Sequence, residues 1–322
     1  MKQYKKCVAA VDIGGTNIVV GIVDGEGKVC GRLCAPTRSF ATPDALVGGI
    51  ADMTSRLAAD TGLAPAACGV GAPCLNACTG CIENATDLPW HGVIPLREML
   101  EKGLEVPVVA VNDANAAAAG EGLAGAARGL ADYIVLTLGT GVGAGIVADG
   151  HLLRGSRGFA GELGHVRVYD GEGRPCSCGR PDCLQTYASS HGVVETALRL
   201  LGASPDTPSA LRDTPADRLT ARHIGFAAAD GDPVALETWR LTGERIGASC
   251  AAFAAAFDPD LIVLFGGVAA AFPFMEKSIN DSFLRHALFL NAGHIRFCRS
   301  ALSDADAPII GAAAMALDTL DA

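Results

Sequence analysis

Apolar positions along the chain recur with two periods, and each change of period marks an element. Near the amino terminus, short and nearly continuous apolar runs predict three strands, Cys7–Ile13, Ile18–Asp24 and Lys28–Cys34. The cluster Asp24-Gly25-Glu26-Gly27 between the last two has the composition of a hairpin turn. Over residues 43–60 the spacing lengthens, and Leu46, Ile50, Met53 and Leu57 fall on one face of a helix. Ala67–Gly71 and Val106–Val111 read as further strands. The alanine-rich stretch Asp113–Leu123 reads as a helix that opens on an acidic residue, as helix N-termini favour.

The second half follows the same plan. Strands are expected at Tyr133–Leu138, Gly143–Ala148 and Leu152–Leu153, followed by a cysteine-rich insertion. Helices are expected near His191–Leu201, Ala221–Ala229 and Val234–Phe257, then a buried strand Leu261–Phe265 that ends at Gly266-Gly267, and a last helix near Ile309–Leu320. Residues 202–217, rich in Pro, Asp, Ser and Thr, read as a surface loop. Strands followed by alternating strands and helices, twice over, predict an α/β protein of two similar domains.

The repetition extends to single residues. A shift of 124 positions carries Gly15, Thr16, Ile18, Gly21, Ile22 and Val23 onto Gly139, Thr140, Val142, Gly145, Ile146 and Val147. Each copy is a strand, a Gly/Thr turn and a strand: Asp12-Ile13-Gly14-Gly15-Thr16-Asn17, and Leu138-Gly139-Thr140-Gly141-Val142-Gly143. Glycines let the backbone approach closely and turn N–H groups toward phosphate oxygens. One such turn alone would read as an ordinary tight turn. Two, with Gly266-Gly267 after a third buried strand, predict a nucleotide site gripped between two half-molecules. It is not a P-loop, for no Gly-Lys-Ser/Thr ending is present.

Composition narrows the picture. The 322 residues are enough for two domains or one large one, are 50% hydrophobic and so can build a sizeable core, and carry a formal net charge of −10. Sequence-independent nucleic-acid binding needs a basic surface, and no helix-turn-helix pattern precedes Asp12, so no nucleic-acid partner is expected. No apolar stretch approaches the ~20 residues of a membrane helix, and Asp12 interrupts the first apolar run too early for a signal peptide. A cytoplasmic protein with no membrane partner is expected. The 12 cysteines would suit a small secreted scaffold, but the chain is large. Cys7, Cys30, Cys68 and Cys250 sit in apolar runs and read as small buried side chains.

Three groups of residues carry candidate chemistry. Asp12, at a strand end beside the first turn, could hold Mg²⁺ directly or through water. Asn112-Asp113 follow the strand Val106–Val111. Such a pair often only caps a helix. If the strand end points into the same site, Asp113 could instead accept the proton of a sugar hydroxyl as that hydroxyl attacks a γ-phosphate, with Asn112 binding a neighbouring hydroxyl. Finally, His165, Cys176, Cys178 and Cys183 are a four-ligand set for tetrahedral zinc, the alternative being free thiols in a loop. Zinc on one nitrogen of His165 would orient the other toward a sugar hydroxyl, with Glu162 beside it.

Taken together, the Asp-Ile-Gly-Gly-Thr turn, Asn112-Asp113, the second turn, Glu162-x-Gly-His165, the cysteine cluster and Gly266-Gly267 resemble the ROK family of sugar kinases and sugar-responsive repressors over nearly the whole chain. Gly71-Ala72-Pro73, Thr79-Gly80-Cys81-Ile82-Glu83 and Leu88-Pro89-Trp90 look most like its bacterial glucokinases. The resemblance implies duplicated actin-like (ribonuclease H-like) domains with ATP and sugar in an interdomain cleft. One domain is expected to span 1–120 with the terminal helix 306–322, the other 121–305 with the zinc insertion. The ATP/Mg²⁺ residues would be Asp12, Gly14, Gly15, Thr16, Asn17, Thr140, Gly141, Gly266 and Gly267. The sugar residues would be Asn112, Asp113, Glu162, His165 and, by position, Gln185, with structural zinc on His165, Cys176, Cys178 and Cys183. It also implies a homodimer. The family usually carries Cys-Leu-Glu where this chain has Cys183-Leu184-Gln185, and Asp87 stands in the place of an asparagine; Cys74 stands where glycine or asparagine is usual. Gln185 keeps open a sugar other than glucose, such as N-acetylmannosamine, fructose or allose. A non-catalytic sugar sensor is the rival of another class. No fourth ligand accompanies Cys74, Cys78 and Cys81, so no second metal is expected there.

Overall fold

The computed structural model describes residues 6–83, 85, 88–168, 170–303 and 306–321; Asp87 lies outside them. The chain forms two compact units. The first comprises Met1–Gly129, Arg154–Ala160 and Ala301–Ala322, the second Leu130–Leu153 and Gly161–Ser300.

In the first unit, β1 (Cys7–Ile13), β2 (Asn17–Asp24) and β3 (Val29–Pro36) run antiparallel in sequence. The helix α1 (Pro43–Thr61) starts where the Thr42 side chain accepts from the Ala45 N–H with Pro43 in the first turn, and it stops at Gly62 in the left-handed region. Its predicted apolar face, Leu46, Ile50, Met53 and Leu57, is buried. Next come β4 (Cys68–Gly71) and a small sheet of β5 (Leu75–Asn76), β6 (Cys81–Glu83) and β7 (Val93–Ile94). They are followed by α2 (Leu96–Leu104), β8 (Val108–Val111) and α3 (Asp113–Ala124). The main sheet has the order β3-β2-β1-β4-β8, with β4 parallel to both β1 and β8.

The second unit repeats this sheet. Its strands are β9 (Tyr133–Leu138), β10 (Val142–Ala148), β11 (His151–Leu152), β12 (Leu261–Phe265) and β13 (Arg296–Arg299), in the order β11-β10-β9-β12-β13. Here β12 is parallel to both β9 and β13. Among the described residues its α-helices are α4 (Gln185–Ala188), α5 (Ser190–Ala203), α6 (Ala221–Ala229), α7 (Pro233–Phe257) and α8 (Phe272–His286). Among the described residues no helix is long and apolar enough to cross a membrane.

The repeat differs from its reading in one detail. Ile13 pairs with Ile18 across the first turn, and Leu138 pairs with Val142 across the second. The second turn is therefore one residue shorter. The 124-residue frame holds for β2 and β10 and slips by one on β1 and β9. Two further expectations need correction. Cys30 is only partly buried, on a strand open to solvent on one face. Residues 202–217 are not all surface. Leu211 is buried in the second core, and Asp232 holds it there by accepting from the Ser209 hydroxyl and the Ala210 N–H.

The chain's last helix, α9 (Ala307–Asp321), returns to the first unit and packs on α3, β1 and β4. It can do so because β4 carries Gly69. A Cβ there would lie 1.9 Å from the Ala312 carbonyl oxygen, so the helix backbone rests directly on the sheet.

Candidate active site

Register fixes one edge of the first sheet. Asp12 pairs with Gly71 across β1 and β4, and Gly71 pairs with Val111 across β4 and β8. Three parallel strands thus end side by side, and ligands of open α/β sheets gather outside such carboxyl ends. Asp12 stands at this edge, followed by the turn Gly14–Thr16, and Asn112-Asp113 come directly after Val111. Burial pushes the Asp12 carboxyl up from its ordinary range. Gly15, Thr16, Asn17, Asn112 and Asp113 are all exposed.

The first turn is closed by the Gly14 N–H donating to the Asn17 carbonyl at 2.9 Å. It is clamped by a residue the sequence reading missed. Thr37, fully buried, donates its hydroxyl to the Gly14 carbonyl at 2.6 Å, and its N–H to the Thr16 carbonyl at 2.9 Å. Nothing in the local sequence distinguishes Thr37 from an ordinary loop threonine. At the other strand end, the Asn112 Oδ1 caps α3, accepting from the N–H groups of Ala114 and Asn115. Asn112 thus caps α3 through its oxygen, and its Nδ2 takes no part in the cap. Asp113 Oδ1 accepts from the Ala114 N–H at 2.8 Å.

In the second unit the Gly139 N–H donates to the Gly141 carbonyl at 3.0 Å. The start of α5 braces this turn. The Ser190 N–H donates to the Gly139 carbonyl, and His191 Nδ1 lies 3.4 Å from the Thr140 carbonyl oxygen. Gly266, at φ +96°, follows β12 and passes so close to the Leu138 carbonyl that a Cβ would stand 2.7 Å from it. Gly266-Gly267 therefore adjoin the second turn.

The cysteine insertion forms a knuckle in the same unit. His165 ends the short helical turn Leu163–His165, which Gly164 allows to lie against β10: a Cβ there would be 1.9 Å from the Val142 carbonyl oxygen. Bridges from Arg167 to Cys183 and from Pro175 to Pro181 close the loop. The ligand atoms of His165, Cys176, Cys178 and Cys183 lie within 4.8 Å of one another, and among the described residues this is the one such group of metal-binding side chains. Cys176 Sγ is 3.6 Å from His165 Nδ1, and Cys178 Sγ is 3.5 Å from Cys183 Sγ. Tetrahedral zinc demands about 3.6 Å between sulfur and nitrogen ligands and about 3.8 Å between sulfurs. The donor set and its spacing therefore fit structural zinc. The Arg180 backbone N–H and side chain hold the Cys178 thiol down at about 6, while burial pushes Cys183 up to about 12. With Nδ1 turned to the sulfurs, His165 Nε2 faces outward, 4.0 Å from Glu162 Oε2. Gln185 Nε2 lies 3.0 Å from Cys176 Sγ.

Behind the knuckle lies a buried polar framework, also missed from sequence. Asp182, 2% exposed, accepts from the N–H groups of Gly173 and Arg174 and from the Tyr187 hydroxyl. The Tyr187 bond leads in holding its carboxyl below the usual range. Arg174 is equally buried. It stacks on the Tyr187 ring at 4.3 Å and donates to the carbonyls of Thr186 and Gly192 and to the Thr196 hydroxyl. An arginine in a Gly/Pro-rich loop reads as a surface residue, so the sequence carries no signal for this role. Among the described residues, Cys74, Cys78 and Cys81 belong to no group of metal-binding side chains.

Known proteins similar to this chain place it in one family. The ROK family model matches residues 8–319. A glucokinase of Streptomyces coelicolor is 35% identical over 310 residues, covering 95% of this chain and 96% of that protein. An N-acetylmannosamine kinase of Escherichia coli is 31% identical, covering 81% of this chain and 83% of its own length. The crystal structure of a ROK family glucokinase from Streptomyces griseus in complex with glucose and AMPPNP superposes with a TM-score of 0.72 at 34% identity, covering 97% of this chain and 99% of that one. With both glycine turns, the knuckle and a match over nearly its whole length, the protein is a member of the ROK family.

Proposed function

We propose that the protein is an ATP-dependent hexose kinase that phosphorylates the 6-hydroxyl of glucose, on duplicated actin-like domains. The observation that carries this reading is the register Asp12–Gly71–Val111, which puts the first glycine turn and Asn112-Asp113 at one sheet edge. The repeated sheet order supports the actin-like assignment.

In this reading the N–H groups of the turns at Gly14–Asn17 and Gly139–Gly141, with Gly266-Gly267, bind the phosphates of ATP. Asp12 is the oxygen donor suited to hold Mg²⁺, which would neutralise phosphate charge when bound. Asn112 Nδ2, Glu162, His165 Nε2 and the Gln185 carbonyl bind sugar hydroxyls. Asp113 accepts the proton of the attacking hydroxyl. A bond forms between that oxygen and the γ-phosphorus, the bond to ADP breaks, and the proton resides on the Asp113 carboxylate until solvent takes it. The zinc of the knuckle is structural: His165, Cys176, Cys178 and Cys183 would hold it, and it would fix the ring of His165.

The test is ADP release with MgATP against glucose, mannose, N-acetylmannosamine, fructose and allose. Fast turnover on glucose alone is expected. Preference for N-acetylmannosamine, the second reading favoured by the relative that acts on it, would move specificity to Gln185. No turnover on any of them would refute the kinase.

A further inference from the structure

Gln185 stands between two features that the reading above treats separately. Its Nε2 is 3.0 Å from Cys176 Sγ and 3.3 Å from the Ser177 hydroxyl. Its Oε1 lies against the second glycine turn, 3.4 Å from where a Cβ of Gly141 would be. The residue is half-buried and opens α4, between fully buried Leu184 and the packed Tyr187 and Ala188. Its backbone is therefore held, and only the side-chain amide has a choice of direction.

Chemistry makes that choice. A metal-bound cysteine is a thiolate, which accepts hydrogen bonds and donates none. Only the N–H₂ end of the amide can face it, which leaves Oε1 toward Gly141. A glutamate, usual at this position in the family, could not make this contact, because its carboxylate has no donor and would set a second negative charge beside the sulfur. Hydrogen bonds to metal-ligating groups orient them and tune the metal's hold, and their loss commonly lowers metal affinity by about 10–100-fold.

We propose that Gln185 is a positioning residue of the metal centre: its Nε2–H donates to the Cys176 thiolate and so strengthens zinc retention, and this contact together with the one to the Ser177 hydroxyl leaves its carbonyl oxygen for other partners. The inference rests on the reading of the knuckle as a zinc site.

The test compares wild type with Gln185→Glu and Gln185→Leu, as full chains. Zinc content is measured first, then the rate of zinc loss to a chromogenic chelator, and then the thiolate-to-cobalt charge-transfer band of the Co²⁺-substituted proteins. Both variants should lose zinc roughly 10-fold or more faster than wild type. Their cobalt bands should shift, because one sulfur has lost its N–H donor. Faster loss in Gln185→Glu alone would overturn the inference, since repulsion and not the missing donor would then be at work. Zinc-loaded wild type with both variants unchanged would overturn this inference and leave the zinc site standing. Wild type without zinc would overturn both.

Discussion

At the scale of single residues, the local hydrogen bonds of Asn112 and Asp113 show which of their atoms serve the helix end. Asn112 spends its oxygen on capping α3, which satisfies N–H groups that the helix cannot satisfy itself. Asp113 remains exposed beside it, with one oxygen on the Ala114 N–H. Replacing Asp113 with Asn keeps the shape and removes the carboxylate that the proposed mechanism uses as base. Asp113→Asn should lower kcat by on the order of 10²–10⁴-fold, with sugar affinity by calorimetry within a few-fold of wild type. A variant with normal kcat would take the proton-accepting role away from Asp113. Residue types at strand ends were legible here because short polar residues after an apolar run stand out. Thr37 was not legible, because its partners are carbonyls of a turn more than twenty positions earlier.

Among the elements, those with a clear period were readable and those defined by contacts were not. Tyr133–Leu138, Ala221–Ala229 and Leu261–Phe265 form as expected, since a continuous apolar run or a helical face is a local property. Helices α2 and α8 were passed over, though Leu96 and Leu100, and Met275, Ile279 and Phe283, carry the i, i+4 spacing that buries them. The knuckle is the opposite case. It has almost no regular structure, and Asp182 holds it by gathering three donors at a buried point. Leaving buried donors unsatisfied costs about 1–3 kcal/mol each. Asp182→Ala should therefore destabilise the protein by about 3 kcal/mol or more in urea unfolding and, on the zinc reading of the knuckle, should hasten zinc loss, because residue 182 adjoins Cys183. Wild-type stability would show that the cluster does not brace the knuckle.

For the whole molecule, the path of the chain matters more than any local preference. The last helix completes the first unit, so residues near both ends of the sequence share one core region. Gly69 is where this is most exposed to test. Gly69→Val would drive a branched side chain into the Ala312 backbone. Overpacking of this kind costs 1–3 kcal/mol when side chains can move, and here backbone must move. A loss of at least about 3 kcal/mol is expected in thermal or denaturant unfolding. An unchanged midpoint would mean that α9 does not rest on β4.

By itself the sequence determined the period of most main-sheet strands and of helices such as α1, α6 and α7, the duplication with its two glycine turns, and the donor set of the knuckle. These follow from side-chain type and spacing within a few residues. Only the tertiary structure decided that Asp12, Gly71 and Val111 end in register, that the second turn is a residue shorter, and that Gln185 reaches Cys176. Each of those depends on which distant segments pack together. Strand order and side-chain direction are settled by burial across the whole core, and a local pattern carries no record of its partner.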